Sequence, residues 1–247
     1  MNFTRRAALA AGIAALTAGC STGMPPPRLP GTCRTPDALE DFSSLAGAPL
    51  GYEVGRTTTT FRADPRFVGL LEAWAKDWAL WSGLGAITTV WSYGAYVDKC
   101  DSFHGAGRAF DIAEVVHEGG SVSCRWDTWR SGTALQLRDY WRLAASFHLH
   151  FAYTLTHLYD AAHHNHIHVD NAVSGWEQSS FRPGSQVQVH MVQSACRHVF
   201  GTEVEVTGAY DEQTRDALRS VQASLGITRS LSDVEGWREF LRATASA

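Results

Sequence analysis

Two histidine-rich segments constrain what this chain can fold into, because their polar side chains act together only if the fold brings the segments into contact. The first, SFHGAGRAFD, spans residues 102–111, and the second, HHNHIHVD, spans residues 163–170. In the second segment His166 and His168 alternate with apolar residues, which predicts a β-strand with both imidazoles on one face. We therefore expect a polar strand face next to the first segment.

The first segment has the composition of a chain that bends back on itself. His104 and Asp111 flank the small residues of the 105–107 stretch, which allow a tight bend. Two imidazoles and one carboxylate from the two segments can then converge on one divalent ion. Such a set leaves a tetrahedral zinc with one position for water and suits zinc better than calcium or magnesium. A histidine-rich surface tract that binds no metal is the better account of a lone His-x-His, whereas the joint pattern favours a metal site.

The joint pattern, Ser-x-His-x-x-Gly-x-Ala-x-Asp followed by His-x-His, resembles the zinc peptidases of the D-alanyl-D-alanine carboxypeptidase and hedgehog-like superfamily. Ser92-Tyr93 upstream makes the extensin-like C-terminal branch the most similar, and the resemblance covers roughly residues 50–172. It implies that His166 lies beside the metal and helps to orient substrate or charge. It implies three zinc ligands, His104, Asp111 and His168.

The general base differs from the one that many carboxypeptidase relatives carry. Those relatives have Glu three residues before the last ligand, where this chain has Asn165. An amide does not accept a proton near neutral pH, so Asn165 is not a base. Some endopeptidase relatives have a His at the position of His163, which makes His163 the first candidate, with His164 and Asp170 as alternatives.

A second difference concerns the residue after Tyr93. Relatives often have Tyr-Arg, whose Arg binds a substrate carboxylate or the developing oxyanion, whereas this chain has Gly94. Arg108 and Lys99 are the candidates for replacing it. Peptidase activity is thus a weaker expectation than metal binding.

The N-terminus has the pattern of an export signal. Arg5-Arg6 precedes an apolar run over residues 7–18 that is too short to span a membrane, and the paired arginines indicate the twin-arginine route. Residues 16–20, LTAGC, resemble a lipoprotein processing site with Cys20 as the lipidated residue. Ordinary signal-peptidase cleavage with release is the alternative. Residues 21–40 then form a Pro-rich tether, which predicts a membrane lipoprotein facing the cell wall or periplasm.

Charge excludes one class of partner. The chain has 21 Lys+Arg and 25 Asp+Glu, a net charge of −4. Residues 1–20 contain Arg5 and Arg6 and no acid, so their removal leaves 19 basic against 25 acidic residues, or −6. No basic run or stripe occurs, so nucleic acid is not an expected partner.

The remaining cysteines agree with export. Four are left besides Cys20, an even number without CxxC spacing, which favours disulfides over metal ligation. Three pairings are possible. The pairing we favour joins Cys100 with Cys124, which flank the first motif, and Cys33 with Cys196. The alternative for Cys196 is that it is a small buried residue in a helix and forms no disulfide.

Local patterns predict an α+β fold for residues 41–173, a small antiparallel sheet backed by helices. Asp64-Pro65 begins a helix that ends near Gly83, with tryptophans at core spacing, and a second helix spans about residues 133–146. Strands are expected over residues 86–93, 151–158 and 166–170. His148, His150 and His157 are expected to be structural or surface groups.

The chain beyond residue 173 divides into a Ser- and Pro-containing linker, residues 174–186, and a small all-α unit of three helices, residues 187–245. Gly208, Thr214 and the Leu218–Leu225 helical face carry a resemblance to the peptidoglycan-binding domain of cell-wall hydrolases. A helical appendage that only packs on the main domain is the alternative.

Together the resemblances imply an exported, zinc-dependent peptidase of the bacterial cell envelope. It would carry one zinc ion, be anchored in the membrane by lipid at Cys20, and be held on peptidoglycan by the C-terminal unit. The rival expectation is a non-catalytic zinc-containing cell-wall-binding protein. A third is an amidase-like hydrolase that cleaves another bond of the wall peptide.

Overall fold

A mixed sheet of eight strands places the two histidine motifs on neighbouring strands. The computed structural model describes residues 39–99, 102–171 and 179–247, so the predicted signal, the lipidation site, residues 21–38 of the predicted tether, Cys33 and Cys100 lie outside the described residues. The strands are β1 (Glu40–Phe42), β2 (Ser44–Leu45), β3 (Ala48–Tyr52), β4 (Thr57–Thr58), β5 (Phe61–Ala63), β6 (Ile87–Gly94), β7 (Ala109–His117), β8 (Gly120–Ser123), β9 (Tyr153–Leu155) and β10 (Ile167–Asp170).

The order along the sheet is β2-β3-β6-β7-β10-β9, with β4 added beside β3 and β8 beside β7, while β1 pairs with β5 in a separate ribbon. All pairs in the sheet are antiparallel except β3 with β6. The molecule is therefore mixed α and β, with a mostly antiparallel sheet. The sequence predicts a small antiparallel sheet, and β3 with β6 is the pair that differs, because the connection between these two strands includes a helix that crosses over the sheet.

Six α-helices accompany the sheet in the described part of the chain. They are α1 (Pro65–Trp81), α2 (Trp126–Trp129), α3 (Ala134–His150), α4 (Gln186–Ser194), α5 (Glu212–Leu225) and α6 (Val234–Ala245). A 3₁₀ turn covers Ala161–His163, and a π-helical segment, Ala195–Val199, extends α4. No helix in residues 39–99, 102–171 or 179–247 combines the length and apolarity that a membrane span requires.

The first helix begins and ends where the sequence predicts. Asp64 caps it by accepting a hydrogen bond from Arg66 N at 2.9 Å, and Pro65 occupies the first position. Trp74 and Trp78 are fully buried and donate to Ser146 Oγ and His117 Nε2, both at 3.0 Å. These tryptophans are core residues, as expected from their spacing.

The second long helix begins as predicted and runs four residues further. Thr133 and Gln136 form a reciprocal capping box, in which Thr133 Oγ1 accepts from Gln136 N at 3.2 Å and Gln136 Oε1 accepts from Thr133 N at 2.8 Å. The helix is buried from Tyr140 to Leu149, which seats it between the sheet and the C-terminal helices. The predicted strand over 151–158 is shorter, because only Tyr153–Leu155 pairs with β10.

The C-terminal helices pack on α3 and share its core. Arg238 in α6 donates to the carbonyl of Leu149 at 3.2 Å, and one continuous cluster of buried side chains joins both parts of the chain. Residues 174–178 of the predicted linker lie outside the described residues. Its described remainder is part of the fold, since Phe181 is buried against Trp237 and Tyr210.

Candidate metal centre

Neighbouring strands hold the first pair of site residues. In the register of β7 with β10, His168 lies directly opposite Asp111, and His168 Nδ1 is 2.7 Å from Asp111 Oδ1. His166, two residues earlier, projects to the same face, with Nε2 at 3.4 Å from the same oxygen. Asp111 is thus the hub of the site.

A tight loop brings His104 to this face. Its Nε2 lies 3.3 Å from Asp111 Oδ2. Two glycines make the loop possible: a Cβ on Gly105 would lie 1.8 Å from the carbonyl oxygen of Lys99, and Gly107 has φ +66° and packs on Leu39. Only glycine fits at these two positions. The loop is therefore the tight bend that the first motif predicts.

Oxygen acceptors orient the two imidazoles of the predicted ligand set. His104 Nδ1 lies 2.5 Å from the carbonyl oxygen of Ala95, and His168 Nε2 lies 3.0 Å from Asp170 Oδ2. The other nitrogen of each ring therefore faces Asp111. Ligating histidines commonly have such an oxygen partner on the distal nitrogen. The ligand atoms of His104, Asp111 and His168 all lie within 4.8 Å of one another, so the structure contains a group that can hold a metal ion.

A second group of ligand atoms overlaps the first. His163, His166 and His168 also lie within 4.8 Å of one another. His163 ends the 3₁₀ turn that Asp160 caps, and its Nδ1 lies 2.6 Å from Asp160 Oδ1. His166 Nδ1 lies 2.6 Å from Asn165 Oδ1. Both rings thus have Nε2 available on the side of the centre.

The electrostatics of the centre favour a cation. Burial alone raises the pKa of Asp111, but hydrogen bonds with His104 and His168 outweigh it and hold this pKa well below the ordinary value. Burial lowers the pKa of His168, yet its bonds to Asp111 and Asp170 raise it to about 10. The carboxylates of Asp111 and Asp170 therefore both contact the His168 imidazolium. A divalent cation that replaces the proton of this imidazolium also supplies positive charge to the carboxylates.

The imidazoles of His163 and His166 are neutral near pH 7. Burial lowers the pKa of His166 to about 4, and it lowers the pKa of His163 against the opposing effect of Asp160. The side chains of the centre are 11–17% exposed, so solvent and ligands reach them. A neutral imidazole can accept a proton or bind a metal.

The alternative bases have other partners. Asp170 is buried and bonded to His168, and the ring of His164 packs on Trp126 at 4.6 Å between centroids. Neither group belongs to the two sets of ligand atoms in the described chain. His148, His150 and His157 also lie outside those sets, and His157 stacks on Trp126.

Arg108, one of the two residues expected to replace the Arg that follows Tyr, donates through Nη2 to the carbonyl of Asn171. Sequence reasoning missed Arg125, whose guanidinium lies 5.9 Å from the ring of Tyr93, which in turn lies 6.0 Å from His166. Asp127 and Glu53 hold this guanidinium with hydrogen bonds of 2.8–2.9 Å. No motif marks Arg125, because only the fold brings β3, β6 and α2 together.

The expected partners of the two described cysteines, Cys100 for Cys124 and Cys33 for Cys196, lie outside the described residues. Cys124 and Cys196 are buried free thiols. Burial raises the pKa of both thiols, that of Cys196 to about 12, so in the folded chain both are protonated. Cys196 is instead a small buried residue in the π-helical segment, the alternative that its surroundings allowed.

Comparison with known proteins adds no assignment: no protein-family model, curated protein or solved structure matches this chain.

Proposed function

We propose that this chain is a zinc-dependent peptidase that cleaves peptides of bacterial peptidoglycan. The observation that carries the proposal is the convergence of His104, Asp111 and His168 on a solvent-accessible face, with His163 beside them. Two nitrogen donors and one carboxylate suit zinc and leave coordination positions open, as catalytic sites require. When bound, zinc supplies Lewis-acid polarisation of a peptide carbonyl and lowers the pKa of water towards about 7.

His163 is the general base of this proposal. Its Nδ1 is engaged by Asp160, so the lone pair of its neutral ring is on Nε2, next to His166 and His168. From there His163 takes the proton of the attacking water and passes it to the leaving amine. Asp160 fixes both the ring orientation and the tautomer.

His166 and Tyr93 form a further part of the wall of the centre, with their rings 6.0 Å apart. Tyr93 hydrogen-bonds with the Asn165 side chain, which also contacts His166 Nδ1. If the amide presents its nitrogen to Nδ1, His166 carries a proton on Nε2 and can stabilise the oxyanion. Arg125, behind Tyr93, stiffens this wall through Glu53 and Asp127.

The terminal segments place the enzyme on its substrate. In this proposal lipid on Cys20 anchors the exported chain, and residues 187–245 bind peptidoglycan and raise the effective concentration of wall peptides. The turn before α5 supports a structured recognition unit: Gly208 has φ +75°, and the buried Gln193 accepts from Gly208 N at 2.8 Å and donates to Thr214 Oγ1 at 2.9 Å.

Digestion of purified peptidoglycan tests the proposal. Zinc-loaded protein should release peptide fragments that mass spectrometry identifies, whereas His168→Ala protein should release none. Co-sedimentation of the intact chain with insoluble peptidoglycan tests the binding role separately. Fragments released equally by both proteins would refute a zinc-dependent activity.

The overlap of the two ligand groups favours one second candidate, a non-catalytic zinc protein of the cell wall. If the Asn165 oxygen accepts from His166 Nδ1, then His166 Nε2 has a lone pair and can complete the coordination sphere together with the first group. A closed site of this kind is structural. Stoichiometric zinc with four protein ligands by X-ray absorption, and no wall fragments, would favour this candidate.

A further inference from the structure

Two histidines of the centre are not ligands of the proposed zinc ion. The group of His104, Asp111 and His168 holds that ion in the proposed function. His163 and His166 belong to the second group of ligand atoms. Their rings lie side by side, with centroids 5.2 Å apart, and their side chains are 14% and 12% exposed. An ion from solvent can therefore reach both imidazoles.

Each of these two rings is held with one nitrogen towards the centre. His163 Nδ1 lies 2.6 Å from Asp160 Oδ1, and His166 Nδ1 lies 2.6 Å from Asn165 Oδ1. An oxygen partner on the distal nitrogen is the usual arrangement around a metal-bound histidine. When Nδ1 of each ring donates to these oxygens, Nε2 of each ring has a lone pair for a metal ion.

Asp111 can serve two ions, because its two oxygens face different imidazoles. Oδ2 lies 3.3 Å from His104 Nε2, whereas Oδ1 lies 3.4 Å from His166 Nε2. Oδ1 also contacts His168 Nδ1 at 2.7 Å, a contact that is lost when this nitrogen binds a metal ion. The carboxylate thus lies between the two groups of ligand atoms and offers one oxygen to each.

The negative charge of the centre exceeds what one divalent ion neutralises. Three carboxylates contact its imidazoles, those of Asp111, Asp160 and Asp170. Ionised, they carry three negative charges, against two positive charges on one ion. The repulsion between two cations is therefore partly offset at this place.

We propose that the centre has a second, weaker zinc site, formed by His163, His166 and Oδ1 of Asp111. Two imidazoles and one carboxylate suit zinc better than calcium or magnesium, which prefer oxygen ligands alone. The second site is the weaker one because it shares the Asp111 carboxylate and because the first ion repels the second. The chain therefore binds one zinc ion at low free zinc and two at high free zinc.

Occupation of the second site stops peptide hydrolysis, a consequence that rests on the proposed function. The second ion takes the lone pair of His163 Nε2, so this ring no longer accepts the proton of the attacking water. Excess zinc should therefore inhibit the cleavage of wall peptides.

Equilibrium dialysis of the intact chain against buffered zinc, followed by elemental analysis, tests the second site without any substrate. Wild type should bind one ion at low free zinc and a second ion as free zinc rises. Calcium and magnesium at the same concentrations should not be retained. Paired metal ions in protein sites lie about 3.5–4 Å apart, so X-ray absorption of the two-ion state should show zinc–zinc scattering at about this distance.

Three variants assign the ligands. His163→Ala and His166→Ala should keep the first ion and bind the second about 100-fold or more weakly, because loss of an outer-shell partner alone costs about 10- to 100-fold in metal affinity. Retention of the first ion shows that these variants fold. His164→Ala is the matched control: its ring packs on Trp126, so this variant should bind both ions as wild type does.

One ion per chain at every zinc concentration would overturn the second site, and so would undiminished binding of the second ion by His163→Ala and His166→Ala. A second ion without zinc–zinc scattering would lie elsewhere on the chain, against the proposal. Cleavage that continues unchanged in the two-ion state would overturn the inhibitory role. If neither metal state cleaves wall peptides, the proposed peptidase fails, while the dialysis still decides the second site.

Discussion

At the scale of single residues, the centre depends on side chains that aim its imidazoles. His104, His163, His166 and His168 each have one ring nitrogen close to an oxygen atom, and in each case the remaining nitrogen faces the centre. An imidazole that is free to rotate loses affinity for a metal, because two ring orientations and two tautomers compete. The orienting oxygens are thus as informative about the site as the ligands.

We predict that His168→Ala abolishes tight zinc binding, because only one imidazole and one carboxylate of the ligand set then remain. Elemental analysis of the purified variant should find far less than one zinc per chain. His164→Ala is the matched control: its ring packs on Trp126 rather than on the centre, so this variant should keep its zinc. Full occupancy in His168→Ala would remove this residue from the ligand set.

We predict that His163→Ala keeps its zinc and loses about 10²- to 10⁴-fold in the rate of wall-peptide cleavage, the usual cost of losing a general base. Turnover is compared with that of wild type at equal metal content. Asp160→Ala should show a smaller loss, because the base is present but less well oriented. Equal turnover of His163→Ala and wild type would place the base elsewhere.

We predict that His148 makes the folded state less stable in acid. Its pKa is about 3 in the folded state and about 6.5 when unfolded, so the unfolded state binds the extra proton between these values. Above about pH 6.5 the ring is neutral in both states, so it does not lower the free energy of unfolding. As the pH falls from there towards 3, proton uptake by the unfolded state lowers the free energy of unfolding by up to about 1.4 kcal/mol per pH unit.

Urea unfolding of metal-free wild type and His148→Phe at about pH 7 and about pH 5 measures this effect. The metal-free state removes the pH dependence of zinc binding from the comparison. The variant should lose less stability over this interval than wild type does. Equal losses would mean that His148 is protonated as readily in the folded state as in the unfolded state.

At the scale of elements, the capping box of α3 contributes measurably to the free energy of unfolding. We predict that Thr133→Ala lowers the free energy of unfolding by about 1 kcal/mol, because Gln136 N loses its side-chain acceptor at the helix start. Thr133→Ser keeps the hydroxyl and should be close to wild type. Urea unfolding monitored by circular dichroism gives both values, and equal losses in the two variants would show that the hydroxyl contributes nothing.

Elements with local signals could be predicted from the sequence. Asp64-Pro65 defines the start of α1, Thr133 defines that of α3, and the alternation around His168 defines β10. The pairing of β3 with β6 has no local signal, because it depends on packing between distant segments. The burial of Phe181 has no local signal either, because its Ser- and Pro-containing surroundings are typical of a linker.

The ligand set of the site could be predicted from its motifs, whereas most of its supporting residues could not. His104, Asp111 and His168 stand in a recognisable pattern, and the structure brings them together. The carbonyl of Ala95 and the side chain of Arg125 act through the fold alone. Asp160 has a weak local signal, because an Asp often caps a turn that begins directly after it.

At the scale of the whole molecule, the C-terminal helices and the sheet-containing part form one packed unit. Trp237 of α6 is fully buried and lies 6.1 Å from the ring of His148 in α3, and Arg138 of α3 donates to the carbonyl of Ala247 at 2.7 Å. The same helix α3 lies against α1. Loss of the C-terminal packing should therefore also destabilise the metal-bearing sheet, because α3 packs against both parts of the chain.

We predict that the zinc-loaded chain unfolds in one transition, in which loss of helix signal coincides with zinc release to an indicator dye. Trp237→Ala should lower both midpoints together, since truncating a buried Trp costs about 3–5 kcal/mol and the core is continuous. Leu80→Ala is the matched control, because this side chain is 79% exposed and its truncation leaves both midpoints in place. Two separate transitions, with Trp237→Ala moving only the one without zinc release, would show instead that the C-terminal helices fold independently of the metal centre.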